Sequence, residues 1–237
     1  MCTVSIVPDG DRFRLMSNRD ERRDRAVAVP PAVHTFGARS AIMPIDPVGG
    51  GSWIGVNDAG LVAALVNSHA AQPPEARSFC SRGLIVRDAL TCDSLDAARR
   101  TVLALDAAAF QPFRLVLVQH RRIALVAGDG RELASVDAAL DHPYLFTASS
   151  LGDLFVDSPR RRLFECLMTD PRRRQQGQRL FHRHQWVDKR EISVLMERDD
   201  AATVSRTVVD VTTRAVALEY ESLVPSRPAQ RVELQPC

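Results

Sequence analysis

The second residue of the chain is a cysteine. Removal of the initiator Met1, which a small following side chain favours, would leave Cys2 carrying a thiol and a free α-amine together. An unperturbed α-amine has a pKa of roughly 8, close to that of a thiol, so it can take the sulfur's proton near neutral pH. Nucleophile and base would then share one residue, the cysteine form of nucleophilic catalysis by a chain terminus. An isolated cysteine here equally suits a buried or frayed structural residue. Its spatial neighbours must separate the two.

Those neighbours follow from the first hairpin. Residues 3–7 are β-branched and apolar, Pro8-Asp9-Gly10 is a turn signal, and residues 12–17 alternate polar with apolar. Such a hairpin returns Asn18-Arg19-Asp20-Glu21 to the side of Cys2. A carboxylate there could hold the α-amine, and an arginine could lower the thiol pKa. The same residues also suit a polar strand end making surface ion pairs. Arginines cluster at Arg19, Arg22, Arg23 and Arg25, at Arg160, Arg161 and Arg162, and at Arg172, Arg173 and Arg174. The third cluster reads as a solvated face, while the first two could serve an anionic ligand.

The rest of the chain supplies the scaffold. After an irregular stretch with Pro30, Pro31, Pro44 and Pro47 comes the run Gly49-Gly50-Gly51. Strands are expected over 52–56 and 61–66, separated by the turn Asn57-Asp58-Ala59-Gly60. Apolar spacing predicts helices over 81–90 and 94–105, with Ser94 as N-cap. Strands follow over 113–119, 122–127 and 145–147. Pro159 suits a helix start, with Leu163, Phe164, Leu167 and Met168 as the apolar stripe. Further strands are expected over 192–196, 203–211 and 215–220. Strands, helices, strands, a helix and strands again favour an α+β protein, its mostly antiparallel sheets carrying helices outside. One domain over residues 1–224 is expected, with an extended or disordered tail over 225–237 that holds Pro225, Pro228 and Pro236.

Composition narrows the function classes. The chain has 237 residues, 45% of them hydrophobic and 25% charged, which is long enough to bury a core without disulfides or a structural metal. A formal net charge of +2 supplies no global basic field for nucleic acid. No apolar stretch is long enough to span a bilayer, and no signal-peptide pattern is visible. Five scattered cysteines without CxxC spacing argue against a disulfide framework and a zinc site, so a reduced, cytoplasmic protein is expected. His182 and His184 would share a strand face, but no third ligand is near and they read as exposed polar residues. No metal and no cofactor are expected. Trp53 and the glycines before it read first as packing and tight turning.

Several ordered motifs together resemble the NRDE family, also called the transport and Golgi organisation protein 2 family. They are Met-Cys at the start, Asn18-Arg19-Asp20-Glu21, Gly50-Gly51-Ser52-Trp53-Ile54-Gly55-Val56-Asn57 and Ser81-Arg82-Gly83. The resemblance runs to about Val211. It implies a four-layer αββα sandwich of the N-terminal-nucleophile hydrolase type, near choloylglycine hydrolases and penicillin V acylases. In those relatives the N-terminal cysteine attacks an amide carbonyl and an aspartate supports its amine, a role that falls on Asp20, with Asn18 and Arg19 in the same tetrapeptide. An asparagine ending a later strand, whose following backbone N–H helps form the oxyanion hole, matches Asn67 before Ser68. A second asparagine of the relatives is replaced here by Ala148, with Ser149 and Ser150 as substitutes that could line the substrate site. An arginine of the catalytic site carries over onto Arg160.

Two readings stay open. One is a hydrolase or acyltransferase acting on a non-peptide amide or related acyl compound, with Cys2 as nucleophile and a small, anionic substrate. The other is a non-catalytic carrier on the same scaffold, since eukaryotic members of the family are associated with Golgi organisation, lipid metabolism and haem trafficking. A thiolate beside arginines could ligate haem iron or hold an anionic acyl group. Loss of an amide donor at Ala148 favours this second reading.

Overall fold

The computed structural model describes residues 2–68 and 79–236. In chain order the elements are β1 (Cys2–Asp9), β2 (Arg12–Arg22), β3 (Val29–Phe36), β4 (Arg39–Ile45), β5 (Ile54–Asn57), β6 (Val62–Asn67), α1 (Gly83–Ala89), α2 (Leu95–Leu103), β7 (Phe113–Gln119), β8 (Arg122–Gly128), β9 (Leu133–Ala139), β10 (Tyr144–Thr147), α3 (Asp153–Met168), α4 (Arg174–Arg183), β11 (Ala201–Val211), β12 (Val216–Ser222) and β13 (Gln230–Leu234).

The strands form two antiparallel sheets, a six-stranded one ordered β10-β1-β2-β11-β12-β13 and a seven-stranded one ordered β3 to β9. Alternation along each strand fills three apolar layers. Val4, Ile6, Phe13 and Leu15 of the first sheet meet Ile42, Val56, Val62 and Val116 of the second. Behind the second sheet, Met43, Leu61, Ala63 and Leu115 pack on Ile85, Val86, Leu95 and Val102 of α1 and α2. Behind the first, Val7 and Leu145 pack on Phe164, Met168 and Phe181 of α3 and α4. The molecule is therefore an α+β, four-layer αββα sandwich.

Several elements differ from the sequence expectations for physical reasons. The proline-rich stretch is not irregular, because it forms β3 and β4. Proline is tolerated in β3 because that strand is the sheet's edge, and the register shifts between Val29 and Ala32 across Pro30 and Pro31. α3 begins at Asp153, so Pro159 lies within the helix rather than at its start. Segment 192–196 is not a strand of either sheet. Its buried carbonyls at Ile192, Ser193 and Val194 accept hydrogen bonds from the side chains of Arg160 and Asn18 instead. α4 went unread because its buried face is Gly177, Gln178, Phe181 and His182, helical in spacing but poor in apolar residues. A Cβ at Gly177 would lie 2.3 Å from the Leu167 carbonyl oxygen, so this glycine sets how closely α4 approaches α3. Beyond residue 224 the chain turns back, and β13 pairs with β12 as a further edge strand.

Candidate active site

The β1–β2 register sets the geometry. Cys2 lies opposite Arg19, and Thr3 lies opposite Asn18. Cys2 and Arg19 therefore point between the sheets, whereas Thr3 and Asn18 point toward α3 and α4. The Cys2 side chain sits at the floor of a cavity of about 530 Å³, lined also by Arg19, Asp20, Glu21 and Arg82. Cys2 is only 6% exposed. Burial pushes its thiol pKa up, while the amino terminus and Arg19 pull it back down. No histidine lines the cavity among the described residues.

Asp20 is buried at the end of the same strand pair. It accepts a 2.6 Å hydrogen bond from the Thr203 hydroxyl. Burial raises its pKa, against the opposing pull of Arg160, the Thr203 hydrogen bond and the amino terminus. Across from it, the register of β11 shifts between Thr203 and Ser205. Such a bulge sharpens the local twist and re-aims side chains, and Asp20 reaches the cavity although its strand face otherwise looks outward.

Arg160, fully buried, does not line the cavity. Its guanidinium donates to the Thr3 and Thr147 hydroxyls at 2.8 and 2.7 Å and to the Ile192 and Ser193 carbonyls at 3.0 and 2.7 Å. These four contacts are all to protein, so it stands behind Asp20 as a fixed positive charge. Asn18 also faces away from Cys2. Its amide nitrogen donates to the His182 and Val194 carbonyls at 3.0 and 2.8 Å, and its oxygen lies 2.9 Å from His182 Nδ1. Asn18 thus joins β2 to the end of α4.

The expected oxyanion residues are distributed unevenly. Asn67, ending β6, lines the cavity. The Ser68 N–H is already directed at the Pro112 carbonyl, at 3.3 Å. Ala148 is buried in the inter-sheet core, and its N–H donates to the Cys2 carbonyl at 3.1 Å. Ser149 and Ser150 lie outside the cavity lining, and both hydroxyls accept from Arg198, at 2.9 and 3.0 Å.

Other lining residues were not singled out as site residues. Asp46 accepts from Arg25 at 2.6 Å and from Arg19 at 3.1 Å. Burial by itself would raise the Asp46 pKa, yet Arg25, the Val48 N–H and Arg19 hold it below the usual carboxylate range. The Arg19 guanidinium also stacks 4.3 Å above the Trp53 ring, a favourable cation–π geometry. Trp53 is buried, as its packing role requires, and lines the cavity as well.

The glycine motifs explain how Arg82 arrives there. A Cβ on Gly51 would lie 2.2 Å from the Gly83 carbonyl carbon, and the Ser52 N–H donates to the Gly83 carbonyl at 3.1 Å. Two backbones touch at this point, which carries Ser81 and Arg82 to the cavity wall. Gly51→Ala is expected to push the chain before α1 outward and destabilise the fold by roughly 1–3 kcal/mol, a usual cost of overpacking. Urea unfolding would show this as a lower midpoint. An unchanged midpoint would mean the contact is loose.

Comparison with known proteins agrees with this architecture. No curated protein matches the sequence significantly. Penicillin V acylase from Agrobacterium tumefaciens superposes with a TM-score of 0.61 at 12% identity, covering 99% of this chain and 86% of that one. An N-acylethanolamine-hydrolyzing acid amidase orthologue from Caenorhabditis elegans gives 0.59 at 11% identity, covering 87% and 92%. A mutant conjugated bile acid hydrolase from Clostridium perfringens gives 0.56 at 10% identity, covering 99% and 92%. Identities this low establish the N-terminal-nucleophile hydrolase fold. The family model for Transport and Golgi organisation 2 matches residues 1–136, more than half of the chain, and the chain belongs to that family.

Proposed function

We propose that this protein is an N-terminal-cysteine hydrolase of a small, non-peptide amide or related acyl compound. The observation that carries the reading is the Cys2 side chain at the floor of a charged cavity, opposite Arg19 and beside buried Asp20. With Met1 removed, the α-amine of Cys2 takes the proton from Sγ. The thiolate then attacks the amide carbonyl carbon, the C–N bond breaks, and the amine leaves with that proton. Water hydrolyses the resulting thioester, returning the free thiol and releasing a carboxylic acid. Asp20 orients the α-amine from behind, Arg160 and Thr203 fix Asp20, and Arg19 stabilises the thiolate.

A thiol pushed up by burial starts protonated, so a base within reach is required, and the residue's own α-amine is within reach of its sulfur. The Asn67 side chain is the oxyanion donor this cavity offers. Ala148 adds none, which removes a contribution of the size that one donor gives, roughly 10²–10³ in rate. Turnover is accordingly expected to be slow. The same alanine supports the alternative of a carrier that binds its ligand without cleaving it. A flat haem suits this cavity poorly, since Arg19, Glu21, Arg25, Asp46 and Arg82 surround Cys2 with charge.

Intact-mass measurement and peptide mapping after a limiting thiol alkylator test the proposal. The expected result is loss of Met1 and labelling of Cys2 ahead of Cys80, Cys92, Cys166 and Cys237. A retained Met1 removes the catalytic amine and sinks the hydrolase reading.

A further inference from the structure

Around Cys2 the cavity holds three guanidinium groups, those of Arg19, Arg25 and Arg82, and three carboxylates, of which Glu21 and Asp46 pair with arginines and Asp20 accepts from Thr203 with Arg160 behind it. Arg25 and Arg19 both engage Asp46, and Arg19 also reaches Glu21 at 3.4 Å. The third cation is left over. Half-buried Arg82 donates from Nη1 to the Pro112 carbonyl at 3.0 Å, and it forms no ion pair with a described residue. Among the described residues its Nη1–Pro112 bond is the one side-chain hydrogen bond it makes, and neither Nε nor Nη2 has a partner there. Burial lowers the Arg82 pKa, but a guanidinium stays charged in proteins. Half-buried charges without a counter-ion are costly, and this one lies in the wall of the cavity that contains Cys2.

We propose that Arg82 is the carboxylate-binding residue of this cavity, and that the ligand taken at Cys2 is an acyl compound bearing one carboxylate close to its amide, such as an N-acyl amino acid. The proposal deepens the hydrolase reading and rests on the same cavity. A planar guanidinium whose adjacent Nε and Nη2 bond to no described residue matches a carboxylate in bidentate fashion. A single guanidinium without an ion-pair partner among the described residues, in a lining that also carries carboxylates, suits one negative charge better than a dianionic phosphate. Pro112 fixes the distance from this anchor to the candidate oxyanion donor, because its carbonyl accepts from both Arg82 and the N–H that follows Asn67. Leu65, Trp53 and Phe79 give apolar wall for a short acyl chain.

The test uses the full chain as Cys2→Ala, which cannot turn over, titrated calorimetrically with N-hexanoylglycine and with its uncharged primary amide. The carboxylate is expected to bind at least about tenfold more tightly, as a charge-assisted bidentate contact gives. Arg82→Gln should erase the difference, and Arg82→Lys should keep part of it. Equal binding of the two ligands, binding of neither, or a preference that survives Arg82→Gln overturns the proposal. The ligand comparison needs no change at Arg82, so a misfolded variant leaves it decisive. Wild-type protein separates this result from the hydrolase reading. Arg82-dependent binding without glycine release keeps the anion site and removes the hydrolase. Equal hydrolysis of acid and amide does the reverse.

Discussion

Arg160→Met is expected to lower the free energy of unfolding by about 3–5 kcal/mol, the cost of removing one partner from a buried charged network. Methionine fills much of the same volume and donates nothing. The Thr3 and Thr147 hydroxyls and the Ile192 and Ser193 carbonyls all lose their donor. Asp20 loses the foremost influence that opposes the rise of its pKa on burial, so it is driven toward its neutral form. A neutral Asp20 would no longer hold an ammonium, and the thiol of Cys2 would become less reactive. Arg161→Met is the control, because that arginine is partly exposed and pairs across one helical turn with Asp157, for an effect under about 0.5 kcal/mol. Urea denaturation of both variants measures the first effect, and the pH profile of Cys2 alkylation measures the second. Arg160→Lys separates charge from shape, since it restores the cation without the fork, and an intermediate stability is expected. If Arg160→Met stays within about 1 kcal/mol of the parent, the network does not hold these segments together.

The arginine shows how far the sequence carried and where it stopped. The resemblance singled out Arg160, yet no spacing rule says whether a buried arginine faces the cavity or the layer behind it. That depends on how α3 packs on β1, a long-range fact. Asn18 was legible in principle. A strand that points Arg19 at Cys2 must point Asn18 away, and period-two alternation applied to Asn18-Arg19-Asp20-Glu21 would have separated them. Asp20 breaks the same alternation because a bulge on β11 lies beside it, and that bulge has no signature in β2 itself. The hairpin was readable because a β-branched run, Pro8-Asp9-Gly10 and an alternating return agree at every level. β3 and α4 were not, because prolines mask the first and buried Gly177, Gln178 and His182 mask the second. Arg82 and Asp46 reach the site through loops, and the touching backbones of Gly51 and Gly83 explain why Ser81-Arg82-Gly83 lies against the glycine run.

The masking histidine carries the other large expected effect. His182, read from sequence as exposed, is fully buried where α4 meets Asn18 and Ser5, and its pKa is lowered to about 3 by burial and by Arg206 and Arg160. The network fits one neutral tautomer. Nδ1–H donates to the Asn18 oxygen at 2.9 Å, and Nε2 accepts from the Ser5 hydroxyl at 2.7 Å, which itself accepts from Gln178. A second proton on Nε2 would face that hydroxyl proton. Between the ordinary histidine value of 6.5 and about 3, the unfolded chain therefore binds a proton that the folded chain refuses. Stability is present in full above this window and is lost as pH falls through it, by about 3 kcal/mol on reaching about pH 4. Asp20 acts with the opposite sign, because its raised pKa lets the folded state keep a proton as acid is added. Comparing the wild type with His182→Gln cancels that contribution. The variant is expected to be less stable near neutral pH, having lost the Asn18–Ser5 bridge, and to decline less steeply into acid. Urea midpoints of the two proteins should therefore converge between about pH 6 and pH 4. Parallel declines would mean that another group sets the acid limit of this fold.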